Sequence, residues 1–137
     1  IDILFGTRLV ADPIQQQDKK QWLASSSFNV NLPVAIDEQV PVLNKTDLIP
    51  VTDFDGYNWY NAASIVLVQK ILTLTTPPFW EGSWRQASHQ YIPLQLAKDN
   101  STFNGWVEIS FSREEEKLVL HRAAVSSRAA VAVRAGE

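Results

Sequence analysis

The sequence contains no cysteine. That absence excludes disulfides, zinc–thiolate sites and cysteine nucleophiles together. It leaves the compartment open, because many exported bacterial proteins also lack disulfides. Methionine is absent as well, and the chain begins at Ile1. We therefore expect a processed product or a trimmed sequence, from which a signal peptide can have been removed.

Positive charge and long apolar runs are scarce. The net charge of the 137 residues is −3, and the few lysines and arginines are scattered. Duplex-binding proteins usually carry a basic patch or stripe, so we expect no nucleic-acid partner. The longest apolar stretch, Ala62–Leu74, is interrupted by Gln69 and Lys70. A membrane span needs about 20 apolar residues, so none is expected here.

Short apolar runs separated by turn residues make up most of the chain. The hydrophobic fraction is 45%, which allows a core, and the length suits a single domain covering residues 1–137. Prolines are spread along the chain, and no tandem repeat is visible. This pattern predicts an all-β domain, an antiparallel β-sandwich of jelly-roll-like or similar form.

Residues 90–125 are the most regular part of the sequence. In the first two apolar runs every second position is apolar, at Ile92, Leu94 and Leu96 and then at Val107, Ile109 and Phe111, which is typical of a strand with one buried face. Polar turns separate the runs, and one of them contains Asp99 and Asn100. We expect a three-stranded antiparallel meander with strands at Gln90–Ala97, Phe103–Phe111 and Lys117–Val125.

Other local signals are less regular. Pro93 lacks an N–H donor, so its strand should lie at a sheet edge or be interrupted there. The pair Asn104-Gly105 indicates a bulge or bend before Trp106. Ala11–Gln21 is rich in glutamine and lysine, which favours a short helix or an exposed loop. Ala62–Thr75 is rich in valine, isoleucine and threonine, which favours one or two strands.

Motifs for catalysis and metal binding are weak. The stretch Asp53–Asn58 alternates oxygen-bearing side chains around a glycine, but Ser64 stands where an EF-hand needs its twelfth-position acid. We interpret it as a polar turn, with a degenerate cation site as the alternative. His89 and His121 lack the spacing of a metal site or a catalytic triad, so both are assigned structural roles. No cofactor and no metal are predicted.

Four aromatic residues are the best candidates for ligand binding. Trp59 and Tyr60 lie in one predicted loop, and Trp80 and Trp84 lie in another. Exposed tryptophan and tyrosine rings stack on sugars or anchor protein partners. The alternative is that these rings close the ends of the sandwich core, where large aromatics bury much area.

The C-terminal half resembles a widespread, largely uncharacterised family of exported bacterial proteins, common among Bacteroidetes lipoproteins. Members typically carry a Y-φ-G-φ strand, a G-W-φ-R-φ motif, a strand similar to T-I-x-D-Y-A-Y and a closing I-x-A-G. Residues 79–136 follow that order, although Glu108 stands where a basic residue is usual and Ala124-Val125 replaces an aromatic pair. The corresponding segments are Tyr91–Leu96, Gly105–Ser110, Leu118–Val125 and Val131–Gly136. The resemblance implies an exported β-domain and transfers no catalytic residue.

These observations lead to a first functional hypothesis and its rivals. The first is a non-catalytic binding or structural module of the cell envelope or the extracellular space. Its ligand would be a glycan or an envelope protein, met by the four aromatic residues. The rival is a glycan-active hydrolase that pairs Asp53 or Asp55 with Glu81. In a third interpretation the aromatics are all core, and a sheet edge at Pro93 or the C-terminal strand meets a partner.

Overall fold

The fold is all-β, as a computed structural model shows for residues 3–53, 56–61 and 64–137. Within these residues the chain forms strands joined by turns and loops, with no helix. The strands are β1 (Ile3–Asp12), β2 (Gln17–Ser26), β3 (Val30–Val34), β4 (Leu48–Ile49), β5 (Asn58–Tyr60), β6 (Ile65–Thr73), β7 (Phe79–Glu81), β8 (Gln90–Lys98), β9 (Ser101–Ser112), β10 (Lys117–Val125) and β11 (Val133–Arg134).

Two antiparallel sheets pack against each other. One has four strands in the order β1-β2-β6-β7, and the other has five in the order β10-β9-β8-β3-β5. The short strands β4 and β11 form a separate pair. Buried side chains from both sheets form one core, which includes Trp22, Leu67, Ile92 and Ile109. The predicted all-β sandwich is therefore confirmed.

Aromatic rings fill one end of this core. The Trp22 ring lies 5.0 Å from the Phe111 ring and 5.5 Å from the Trp80 ring, measured between centroids. Edge-to-face pairs at such distances add about 0.5–1.5 kcal/mol to the energy of burial alone. These contacts join β2 and β7 of one sheet to β9 of the other.

The predicted meander is correct. Strands β8, β9 and β10 are neighbours in the five-stranded sheet and pair antiparallel along nearly their whole length. Asp99 and Asn100 turn between β8 and β9 with φ values of 52° and 62°. Two successive positive φ angles define a type I′ hairpin turn, which the short side chains of aspartate and asparagine tolerate.

The irregularity in the meander lies elsewhere than predicted. Asn104 and Gly105 pair in regular register with Gln95 and Leu94, so no bulge occurs there. Gly105 is needed because a Cβ at its position would overlap the Ala124 carbonyl of the neighbouring strand. The bulge instead lies in β10 between Leu120 and Arg122, and His121 is the extra residue.

The strand containing Pro93 is not an edge strand. β8 lies between β9 and β3, and Pro93 is almost completely buried. On the β3 side, however, the ladder is interrupted. Tyr91 exchanges two hydrogen bonds with Leu43, whereas β3 pairs only further along, from Gln95. The missing N–H of Pro93 falls in that gap, whereas β8 itself runs unbroken from Gln90 to Lys98 and pairs Pro93 with Trp106. Both predicted outcomes, an edge strand and a strand interrupted at Pro93, are therefore wrong.

The segment Ala11–Gln21 forms a hairpin, so the predicted helix or loop is wrong. β1 continues to Asp12 and β2 begins at Gln17, with a left-handed φ of 53° at Gln16. β2 has a partner strand on each side, and this pairing outweighs the weak helix preference of glutamine and lysine. Glu116 lies 3.2 Å from the Lys20 ammonium and compensates its charge.

A second apolar cluster covers the outer face of the five-stranded sheet. We call it the C-terminal cluster, and its buried members are Ile49, Tyr91, Trp106 and Ala135. The Trp106 ring meets the Tyr91 ring edge-on at 5.2 Å, and its Nε1 donates to the Glu137 carbonyl at 3.3 Å. Gly136 has a φ of 81°, and a Cβ there would crowd the Tyr91 ring. Three segments that were compared with exported bacterial proteins therefore meet in this cluster. They contribute Tyr91, the pair Gly105-Trp106 and the pair Ala135-Gly136.

Candidate functional site: a polar concavity on the four-stranded sheet

A row of polar side chains crosses the outer face of the four-stranded sheet. Each strand contributes one member, and neighbours in the row are direct cross-strand partners. The members are Arg8, Gln21, Gln69 and Glu81, which we call the polar row. Because side chains alternate across a strand, the core residues Trp22 and Val68 direct their neighbours Gln21 and Gln69 outward.

Hydrogen bonds link the polar row from end to end. The Arg8 Nε donates to the Gln21 Oε1 at 2.6 Å, and the Gln21 Nε2 donates to the Gln69 Oε1 at 2.9 Å. The Gln69 Nε2 then donates to the Glu81 Oε1 at 2.7 Å. All three bonds point the same way, from the guanidinium towards the carboxylate. Such a chain holds each amide in one orientation, and its bonds reinforce one another.

Three members of the polar row, Arg8, Gln69 and Glu81, line an open concavity of about 600 Å³. Its wall comes from two turns, one containing Asp37 and Glu38 and the other containing Ser83 and Arg85. The Ser83 hydroxyl donates to the Gln39 Oε1 at 3.0 Å, which joins the two turns. The full lining is Arg8, Asp37, Glu38, Gln39, Ser64, Ile65, Val66, Gln69, Glu81, Gly82, Ser83 and Arg85.

The charges of this concavity nearly balance. Arg8 and Arg85 face the three carboxylates of Asp37, Glu38 and Glu81. The lining therefore offers cationic donors, anionic acceptors and amides that are both donor and acceptor. A ligand that fits it has many polar groups able to donate and accept, and little net charge of its own.

The predicted aromatic residues near the concavity direct their rings elsewhere. Trp80 is half-buried, and its ring packs against Trp22 and Phe111 in the core. Trp84 is completely buried, and its Nε1 donates to the Val40 carbonyl at 3.2 Å. The core alternative thus holds for Trp84, whose ring offers no face to a ligand. The chain neighbours of these tryptophans, Glu81, Ser83 and Arg85, are the residues that line the concavity.

Trp59 and Tyr60 lie on β5, at the edge of the other sheet. Trp59 is half-buried against the C-terminal cluster, and its Nε1 donates to the Thr52 carbonyl at 3.1 Å. Tyr60 is 55% exposed. The structure thus places the four predicted binding aromatics in two separate regions. The assignment of Trp59 and Tyr60 to a ligand stays a prediction.

The predicted carboxylates have local partners. Asp53 accepts the Trp59 backbone N–H at 2.9 Å, and Glu81 belongs to the polar row. Asp55 and Phe54 lie outside the described residues, so the polar turn predicted at Asp53–Asn58, its alternative as a cation site and a carboxylate pair formed by Asp55 all stay predictions. Among the residues that the structure describes, no three acidic or histidine side chains are grouped to hold a metal ion.

Sequence reasoning missed a second polar cluster, at the end of the five-stranded sheet. The rings of His89 and His121, the histidine pair, stack with centroids 3.9 Å apart and planes 16° apart. The His89 Nδ1 lies 2.7 Å from the Glu108 Oε2, and the Arg122 Nε donates to the Glu108 Oε1 at 2.7 Å. Ser110 contacts both histidines.

Glu108 is the charged centre of that cluster, and its side chain is only 6% exposed. The hydrogen bond from His89 lowers the pKa of Glu108, and Arg122 lowers it further, although burial acts in the opposite direction. Glu108 also raises the pKa of Arg122. Alternation along β9 was the one available signal, because it places Glu108 and Ser110 on the same face. The spacing of the two histidines in the sequence gave no signal that they would meet.

Comparison with protein-family models, with curated proteins and with solved structures gives no match. No helix in the described part of the chain has the length and apolarity needed to cross a bilayer.

Proposed function

We propose that this domain is a non-catalytic binding module of the cell envelope or the extracellular space, and that its ligand is a glycan. The observation that carries the proposal is the polar row, which spans all strands of one sheet beneath an open concavity. The proposed location rests on the resemblance of residues 79–136 to exported bacterial proteins.

Glycan chemistry suits the concavity because each sugar hydroxyl both donates and accepts hydrogen bonds. The Gln69 amide, which lines the concavity, is already held by Gln21 and Glu81, so little side-chain entropy is lost when a ligand binds. The balance of charges favours a neutral glycan over a polyanion. About four net hydrogen bonds of roughly 1 kcal/mol each correspond to a dissociation constant of about 1 mM.

Nuclear magnetic resonance titration with a panel of neutral oligosaccharides tests the proposal. Amide shifts should concentrate at residues 8, 21, 37–39, 69 and 81–85. Glu81→Gln should weaken binding at least threefold, because it removes the charged acceptor at the end of the row. Glu114→Gln, in the exposed turn between β9 and β10, is the matched control. Binding without shifts at these residues, or no binding at all, would contradict the proposal.

A glycan-active hydrolase is the second candidate, and one observation favours it. Glu81, one of the carboxylates expected to act in a hydrolase, lines the same concavity as Asp37 and Glu38. Hydrolysis needs a pair of carboxylates on opposite sides of the scissile bond. Release of new reducing ends by the unchanged protein, and its loss in Glu81→Gln at glycan concentrations that saturate the weakened variant, would establish the enzyme. If the glycan binds but no new reducing ends appear, the domain is the non-catalytic binding module.

A further inference from the structure

The histidine pair arises from two local departures from regular strand geometry. His89 precedes β8 with a left-handed φ of 48°, a conformation that costs energy in a residue other than glycine. His121 is the extra residue of the bulge in β10. Together these departures bring the only two histidines of the chain face to face beside Ser110.

Ser110 has the hydrogen-bond geometry of an activated hydroxyl. Its Oγ accepts the backbone N–H of His89 at 2.8 Å and lies 2.8 Å from the His121 Nε2. Because the backbone already donates to the oxygen, the hydroxyl proton is free to point at the His121 nitrogen. A hydroxyl within hydrogen-bond reach of an imidazole is the basic pair of nucleophilic catalysis. The backbone N–H also fixes the position of Oγ beside the imidazole.

Glu108 supports this pair through His89. Its carboxylate holds the His89 Nδ1 at 2.7 Å, which fixes the ring that stacks on His121. Arg122 holds the other carboxylate oxygen, so Glu108 keeps one orientation. Glu108 and His89 are thus positioning residues.

A shared metal ion is a poorer interpretation of the histidine pair. The lone pair of an imidazole nitrogen lies in the plane of its ring. The two ring planes are nearly parallel and 3.9 Å apart at their centroids, so their lone pairs do not converge on one ion. An ester, by contrast, can reach the site, because the His89 side chain is 62% exposed and Ser110 is partly exposed.

We propose that Ser110 is a nucleophile activated by His121, and that it accepts an acyl group from an activated ester. This activity goes beyond the glycan binding proposed above and does not depend on it. The Ser110 Oγ attacks the ester carbonyl carbon while its proton passes to the His121 Nε2. The bond from that carbon to the leaving oxygen then breaks, and the proton moves from His121 to the departing alcohol. The product is an O-acyl serine at position 110.

Reaction of the complete chain with p-nitrophenyl acetate tests the proposal. Peptide mapping by mass spectrometry should locate one acetyl group on Ser110, formed together with a burst of p-nitrophenol. His121→Gln should slow the burst by about 100-fold or more, since general bases contribute 10²- to 10⁴-fold. Ser110→Ala should abolish it.

Ser112→Ala is the matched control, because Ser112 lies on the same strand and its hydroxyl accepts a backbone N–H of the following turn. It should react as the unchanged protein does. If Ser110→Ala fails to fold, the peptide map of the unchanged protein decides alone. Acetyl groups found on lysines and not on Ser110, or an unchanged burst in folded Ser110→Ala, would overturn the proposal.

Discussion

Gln21 and Gln69 face each other across β2 and β6, and the Gln21 Nε2 donates to the Gln69 Oε1 at 2.9 Å. Gln21 is buried, so this bond replaces the water that its amide would otherwise bind. The two residues are the centre of the polar row, and they connect its charged ends on β1 and β7. The stability of the sheet and the proposed binding surface therefore depend on the same contact.

Gln69→Ala should destabilise the domain by about 1–3 kcal/mol, because it leaves the buried amide of Gln21 without its acceptor. Urea unfolding followed by tryptophan fluorescence measures the change. Gln15→Ala removes an exposed amide in the β1–β2 turn and should change stability by less than about 0.5 kcal/mol. Equal effects of the two substitutions would contradict the role of the row.

Gly105→Ala should destabilise the domain by about 1–3 kcal/mol, because its Cβ would press on the backbone of β10. Gly6→Ala is the matched control, since a Cβ at Gly6 meets nothing within 4 Å. Thermal unfolding of both variants gives the comparison. A tolerated Gly105→Ala would mean that β9 and β10 lie further apart than described.

Stability should fall in acid through Glu108 and Glu116. The pKa of Glu108 is lowered, chiefly by His89 and then by Arg122, and the pKa of Glu116 is lowered by Lys70 and Lys20. A carboxyl whose pKa is lower in the folded state stabilises the fold above its unfolded pKa, and this contribution disappears as the pH falls through the folded pKa. Both groups start from an ordinary value of 4.5, so the loss should occur below about that pH.

Urea unfolding at several values between about pH 7 and pH 3 measures this loss. In Glu108→Gln the domain should be less stable at neutral pH, and its stability should depend less on pH in the acid range. Glu114→Gln, an exposed substitution nearby, should keep the slope of the unchanged protein. If stability depends on pH in the acid range as strongly in Glu108→Gln as in the unchanged protein, the folded state does not lower the pKa of Glu108.

Trp84→Ala should destabilise the domain by about 3–5 kcal/mol, because it empties a completely buried site in the core. Tyr60→Ala removes a ring that is 55% exposed and should cost much less. Acrylamide should quench Trp84 poorly in the folded protein. Ready quenching of Trp84 would return it to the set of possible ligand-binding residues.

The sequence predicted those parts of the fold that depend on alternation within one strand or on a short turn. The meander of β8, β9 and β10 and the turn at Asp99 and Asn100 are of this kind. The hairpin formed by Ala11–Gln21 was missed, because its glutamines and lysines show no apolar alternation. Its strand character comes from partners on β6, which are about 50 residues away in the sequence.

The polar row and the histidine pair could not be predicted from the sequence either. Gln21 and Gln69 meet only in the β2–β6 register, which a further bulge after Trp22 shifts. His121 turns towards His89 because it is the extra residue of the bulge in β10. No residue type at that position predicts a bulge. The sequence did identify Trp80 and Trp84 as candidate ligand-binding residues. Their burial depends on how the two sheets pack, which no local pattern encodes.

The C-terminal cluster has a consequence for the order of folding. Val133 and Arg134 pair with β4, and the Glu137 carbonyl accepts the indole N–H of Trp106. Until residues 133–137 have left the ribosome, one face of the five-stranded sheet stays uncovered. The domain should therefore complete its fold only after release of the segment around residue 137, and until then a chaperone could bind Tyr91 and Trp106.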